Sequence, residues 1–344
     1  MERQIHGGDI YRNQGVLDFS VNSNPLGTPE AVLRAVRETA SEICCYPDMF
    51  CEKLKNAISR FEQVPACGIL CGNGAAELFF AVAAAVKPKE ALLVVPSFSE
   101  YERALGVWKT DIRYYRLARE KEFQVEEGIL EAITDSLDLL FLCNPNNPTG
   151  LVMERDLLEK ILGKCRECEV LVVLDECFIE FLDEPKRYEM KSRLEAFPNL
   201  FLVKAFTKIF AMPGLRLGYG MSSNGELLKK IRSTLQPWNV SGPAQAAGIA
   251  ALADCGKYLE ETRKYLSVER AYLSEELKKL GFYVYPSRAN YLFFSGRKGI
   301  YEEALKAGFL IRDCSGYEGL KGGDYRIAVR TREENERLLT CLRR

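Results

Sequence analysis

An α/β fold is what this sequence predicts: a large domain with a mainly parallel sheet covered by helices, followed by a smaller α+β domain. Three observations carry that expectation. Short runs rich in Val, Leu and Phe recur at 91–95, 137–143, 170–174 and 200–203, and their continuous apolarity marks strands buried on both faces. Amphipathic segments of helical length, such as 157–166, separate several of them, as parallel strands joined by crossover helices require. Beyond residue 257 the pattern changes to a long charged helix reaching 280, strands at 282–285 and 290–294, a helix at 300–306, a strand at 325–329 and a final helix.

These shifts divide the chain into an N-terminal arm (1–27), a helix at 28–43 joining the small domain, a large domain (44–256) and the small domain itself (257–344). The joining helix is opened by Thr28-Pro29-Glu30, a start signal with proline in its first turn. Its assignment to the small domain rests on the closeness of chain termini in most folds.

Composition excludes several function classes. The 47 Lys and Arg residues nearly cancel the 48 Asp and Glu, with no block of like charge, so neither nucleic acid nor an anionic membrane is an expected partner and a small molecule is. The N-terminal stretch lacks an apolar signal core and no apolar run approaches the ~20 residues that span a bilayer, so a soluble, cytoplasmic protein is expected. Twelve cysteines are scattered, several inside apolar runs (Cys71, Cys143, Cys177), where a reduced thiol behaves as a small hydrophobe. Cys165 and Cys168 form a lone C-x-x-C with no second pair, which argues against a metal or redox centre. The single histidine, His6, stands in the arm and leaves hydrolase schemes built on a Ser-His or Cys-His pair without a partner elsewhere.

Chemistry-bearing residues punctuate the predicted strands. The stretch ILCGNGAAELFF reads as strand, glycine turn and helix, and Gly72-Asn73-Gly74-Ala75-Ala76 would offer backbone N–H groups to an anion, unless the turn is only a connection. As a dinucleotide fingerprint it fails, for lack of a third glycine. CNPNNPTG (143–150) follows a buried strand at the end where open α/β sheets bind ligands, and its plainer reading is a turn. In LDECFIEF, Asp175 closes an apolar strand, where a carboxylate needs a cation or a structural partner. Lys208 lies among apolar neighbours in KAFTKIFAMPGLRLGYG, with Arg216 eight residues on, and an amine so placed is a candidate for a covalent bond to a carbonyl.

The order and context of these residues resemble the fold-type I aminotransferase family of pyridoxal-phosphate enzymes, from NPLG in the arm to TREEN near the end. The resemblance implies the fold of that family, pyridoxal 5'-phosphate as cofactor, Lys208 as the residue bonded to its aldehyde and Asp175 as partner of its pyridine nitrogen. It further assigns Asn147 to the phenolic oxygen, Phe98 to ring stacking, and Gly74, Ala75, Thr207 and Arg216 to the cofactor phosphate. Tyr46 matches a tyrosine that reaches the neighbouring subunit's cofactor, implying a homodimer with shared sites, although a packed turn tyrosine would read the same. Arg326 matches the arginine that grips a substrate carboxylate, where the bare sequence suggests a surface charge.

Within the family, NPNNPTG and DE-x-x-IEF are similar to histidinol-phosphate aminotransferases, which usually carry tyrosine where Phe178 stands. The opening HGGDIY, LDFSVNSNPLG, FTKIFAMPGLRLGY and the tail with Arg330 look more like the threonine-phosphate decarboxylases of cobalamin biosynthesis. The expected reaction is therefore decarboxylation of an O-phosphorylated amino acid, L-threonine O-3-phosphate first, with an aminotransferase as alternative. A substrate bearing phosphate and carboxylate needs two anion sites: Arg326 is expected at the carboxylate, and a set drawn from His6, Asn24, Arg312, Arg330 and Arg332 at the phosphate. Each of those arginines would serve equally in an ion pair, and His6 in ordering the arm.

Overall fold

A computed structural model describes residues 6–343 of the chain. After a two-residue strand in the arm, β1 (Leu17–Asp18), seven strands make the large sheet: β2 (Ile69–Gly72), β3 (Glu90–Val95), β4 (Asp111–Arg116), β5 (Leu139–Cys143), β6 (Leu171–Asp175), β7 (Leu200–Ala205) and β8 (Gly218–Met221). Their spatial order is β2-β8-β7-β6-β5-β3-β4, with all neighbours parallel except at β8, which runs antiparallel to both β2 and β7. Side chains alternate faces along a strand. Leu140 and Leu142 of β5, Val172 and Leu174 of β6 and Leu202 of β7 enter one apolar cluster, whereas Phe141, Val173, Phe201 and Val203 enter another on the opposite face. Burial of both faces is the reason these strands read as unbroken apolar runs.

The remaining strands belong to the small domain. β9 (Tyr283–Val284), β10 (Tyr291–Ser295), β12 (Arg312–Asp313) and β13 (Asp324–Ala328) form an antiparallel sheet, and β11 (Phe309–Leu310) pairs in parallel with β1. The arm, therefore, is stitched into the small domain by backbone pairing, a link that two residues of strand are too short to announce in sequence.

Helices cover the sheet: α1 (Glu30–Thr39), α2 (Glu52–Glu62), α3 (Ala75–Val86), α4 (Glu100–Gly106), α5 (Arg155–Glu167), α6 (Pro185–Tyr188), α7 (Phe206–Ile209), α8 (Gly225–Thr234), α9 (Gly242–Ala253), α10 (Gly256–Lys279), α11 (Ile300–Lys306) and α12 (Arg332–Leu342). The expectation that the 28–43 helix packs on the small domain is corrected here: α1 lies along α9, within the expected large-domain span. Its polar composition leaves only Val32 fully buried, and the small residues of α9 (GPAQAAGIAALA) let the two helices approach closely. Among the described residues no helix is long and apolar enough to cross a membrane.

Candidate active site

The carboxyl ends of β2, β3, β5, β6 and β7 point to one place, a cavity of about 370 Å³. Parallel α/β sheets bind ligands at this edge, because the turns leaving adjacent strands diverge there and open a crevice. Asp175 is the last residue of β6, 4% exposed, and its Oδ2 and Oδ1 accept from the Tyr101 hydroxyl at 2.6 Å and the Cys177 N–H at 2.9 Å. Burial pushes its carboxyl up from the usual range, against a bond from the Cys177 side chain and those two.

Lys208 sits on the single-turn helix α7 that follows β7, half-buried in the cavity wall. Burial, with the nearby charges of Arg326 and Arg216, lowers its ammonium from 10.5 to about 8. Its turn is tied down from the arm: the Asn24 N–H donates to the Lys208 carbonyl at 3.0 Å, and Asn24 Nδ2 donates to the Ile209 carbonyl at 2.9 Å. Asn147, 6% exposed beyond the end of β5, bonds through Oδ1 to Nη1 of Arg326. Arg326 rises from β13 of the small domain, donates from Nη2 to the Ser20 carbonyl at 2.7 Å, and keeps a buried Nε that has no partner among the described residues.

Pyridoxal 5'-phosphate, the cofactor implied by the resemblance, needs an anion seat, a ring platform and an amine, and the residues present fit it. At the N-terminus of α3 no side chain caps the first turn, and Ala75 and Ala76 face the cavity. Gly74 has φ +80, and a Cβ there would stand 2.5 Å from Arg216 Nη2; one on Gly218 would stand 2.6 Å from the Ala75 nitrogen. Only glycines let the guanidinium fold over the turn, and together with Thr207 they shape a cradle for a phosphate. Phe98, on the wall between β3 and α4, would offer the ring a face, and Lys208 would offer the amine. The cavity thus gathers Gly74's neighbour Ala75, Phe98, Asn147, Asp175, Thr207, Lys208, Arg216 and Arg326.

The expected substrate-phosphate set divides. His6 and Arg312 line the cavity; His6 Nε2 stands 2.7 Å from Glu100 Oε1, and Arg312 lies 5.3 Å from the Tyr317 ring centroid. Asn24, Arg330 and Arg332 do not. Asn24 is 3% exposed and its amide is spent on Ile209, Thr262 and the Leu26 N–H, so it braces the Lys208 turn instead. Arg330 makes paired bonds of 3.0 and 2.8 Å to Glu334, one helical turn on. Arg332 pairs with Glu269 at 2.9 Å and lies over the Tyr272 ring at 3.6 Å. Tyr46 is 81% exposed and stacked on Trp238 at 4.6 Å, outside its own chain's cavity.

Sequence reasoning missed Tyr101, Glu100, Arg103 and Cys177. The first three follow Phe98 within two turns of α4, so helical spacing from the expected platform was the available signal. Phe178 lies in the wall, 5% exposed, with its ring edge-on to Tyr291 at 5.0 Å.

Comparison with known proteins gives this geometry its kin. The chain is 40% identical to the threonine-phosphate decarboxylase of Salmonella typhimurium, over 98% of this chain and 95% of that one. It is 34% identical to the histidinol-phosphate aminotransferase of Desulfitobacterium hafniense, over 99% of this chain and 96% of the relative. The crystal structure of the histidinol-phosphate aminotransferase from Clostridium acetobutylicum superposes with a TM-score of 0.88 at 30% identity, over 95% of this chain and 98% of that one. The family model for aminotransferases of class I and II matches residues 14–342. A match of that extent, on a sheet whose strand ends converge on a lysine, a buried carboxylate and a phosphate cradle, makes this chain a member of the class I and II aminotransferase family, whose enzymes depend on pyridoxal 5'-phosphate.

Proposed function

We propose that this enzyme decarboxylates an O-phosphorylated amino acid, L-threonine O-3-phosphate first among them, to (R)-1-amino-2-propanol O-2-phosphate, a step of cobalamin biosynthesis. The observation that carries the reading is one cavity in which Lys208 and Asp175 share space with Arg216, Arg312, Arg326 and His6. The three guanidiniums, Arg216, Arg312 and Arg326, exceed what one cofactor phosphate needs and suit a substrate with two more anionic groups, with Glu100 holding His6 on the same wall. The name of the 40% identical relative from Salmonella typhimurium supports the same reaction.

Bound pyridoxal 5'-phosphate supplies an electron sink for the bond that breaks at the substrate α-carbon. Asp175 holds an anionic oxygen toward the ring nitrogen. Arg326 would take the substrate carboxylate, with its unpartnered Nε adding a donor, and so fix which bond at the α-carbon is presented for cleavage. Lys208, in the cavity wall, would carry the proton that the α-carbon takes up after carbon dioxide has left. Arg312 and His6 take the substrate phosphate. Transamination would instead need the bond to the α-hydrogen to be the one presented, so positioning decides between the reactions.

The enzyme works as a homodimer with shared sites. Exposed Ile43, Tyr46, Met49, Phe50 and Trp238 support this, since an apolar surface of that kind marks a contact, and Tyr46 would reach the neighbouring cofactor from it. A second reading, an aminotransferase, draws on the TM-score of 0.88 to a histidinol-phosphate aminotransferase. The test supplies threonine phosphate, serine phosphate and histidinol phosphate side by side, each with and without 2-oxoglutarate. Carbon dioxide and aminopropanol phosphate formed without the keto acid are expected; glutamate formed only with it would replace this reading by the second.

A further inference from the structure

Tyr101 follows Phe98 by three residues in the first turn of α4 and is 1% exposed. Aromatic rings fix it on three sides: Phe141 stacks on it at 5.0 Å and 11°, while Phe79 and Phe98 meet it edge-on at 4.9 and 5.7 Å. The hydroxyl donates to Asp175 Oδ2, 2.6 Å away, and the Cys143 thiol lies beside it. The Cys177 N–H occupies Oδ1 at 2.9 Å. The Cys177 side chain bonds the same carboxylate, so Tyr101 on one side and Cys177 on the other fix the plane in which it lies. An ionised carboxylate offers about four lone-pair sites, so acceptor capacity remains for a ligand.

Charge is the difficulty at this position. The titratable groups facing Asp175 are Tyr101, Cys143, Cys177 and Tyr291, and none of these is a cation. Burial therefore acts on the carboxyl with only hydrogen-bond donors to resist it. The phenol itself is pushed well above 10 by burial and by the Asp175 charge, so it stays a donor at working pH.

We propose that Tyr101 is a positioning residue for the cofactor, its hydroxyl fixing the rotamer of Asp175 and keeping that carboxylate anionic where the pyridine nitrogen meets it. The proposal rests on the reading of Asp175 as the nitrogen's partner, and it adds that a neutral aromatic ring of the same shape cannot replace Tyr101. A hydrogen bond to a charged group is worth enough to move a titration by about one to two pH units. Since the bond favours the anion, its loss moves the midpoint up.

The experiment compares wild-type protein, Tyr101→Phe and Asp175→Asn. Pyridoxal 5'-phosphate is titrated into each apo-protein across pH, and infrared difference spectra of the apo-proteins follow the protonated carboxyl band that disappears in Asp175→Asn. In Tyr101→Phe that band is expected to persist about one to two pH units higher, and cofactor affinity to fall off on the acid side at correspondingly higher pH. Site-specific 3-fluorotyrosine at 101, a stronger donor of nearly the same size, is expected to move both midpoints down, and it provides the measurement should the phenylalanine variant fail to fold. Midpoints unmoved by either change, with Asp175→Asn impaired in cofactor binding, would overturn the role of Tyr101 alone. Wild-type cofactor affinity in Asp175→Asn would overturn the reading of Asp175 beneath it.

Discussion

A half-buried amine with an ammonium near 8 is costly to an empty site and useful to a reacting one. In the unfolded chain the amine titrates near 10.5, so below about 8 the folded apo-protein carries the full cost of the charge. Between those values the folded amine loses its proton before the unfolded one does, and the cost fades as pH rises. Replacing Lys208 with Met is therefore expected to stabilise the apo-protein at pH 7 by on the order of 2 kcal/mol, a few degrees in Tm, with the gain shrinking above pH 8 in a thermal scan series. A gain independent of pH would assign it to packing. That Lys208 and Asp175 would face one cavity was legible in the sequence because each puts a charged group beside an apolar run, where cost demands a reason, whereas Asn147 stood out only through the resemblance. Arg330 and Arg332 were not sorted correctly, because an arginine does not display its partner. Glu334 stands four residues from Arg330 and was there to be read, whereas Glu269 reaches Arg332 only through the packing of α12 on α10.

Elements meet behind the site through a buried charge cluster. Glu62, at the end of α2 and 1% exposed, accepts from Lys204 of β7 at 3.0 Å, from Lys191 at 3.0 Å, and from the Tyr219 hydroxyl of β8. Burial opposes its charge, but Lys204 and Lys191 outweigh burial and hold the carboxyl below its usual range. The cluster thus fastens α2 to the two strands that lead into Lys208 and out of Arg216. Glu180 and Glu189 also pair with Lys204, at 3.3 and 3.9 Å, so removing Glu62 weakens the cluster without leaving that cation alone, and Glu62→Ala is expected to lower stability by about 2–3 kcal/mol in urea unfolding, with part of the loss recovered on adding Lys204→Met. Additive losses would mean that the two side chains are not coupled. None of this was visible in the sequence, where Glu62 closes an ordinary amphipathic helix and Lys204 interrupts a strand. The packing of α1 on α9 was hidden for a related reason: an apolar face shows that a helix packs, and not on what.

The whole molecule was the most legible scale for the sheet and the least for assembly. Continuous strands and intervening helices announced the large domain, but the two-residue pairing of β1 with β11 carries no periodic signal. If Tyr46 serves the neighbouring subunit, two defective chains can repair each other. Mixing Lys208→Ala with Tyr46→Ala chains, unfolded together and refolded, is expected to restore one complete site in each hybrid dimer, whereas a Tyr46 acting within its own chain would restore none. The claim on which the rest depends is that the chemistry runs at Lys208. Borohydride reduction of the cofactor-loaded protein, followed by proteolysis and mass mapping, tests it most directly. The cofactor mass is predicted on the peptide containing Lys208 and no other; its recovery on a different lysine, or on none, would contradict the account.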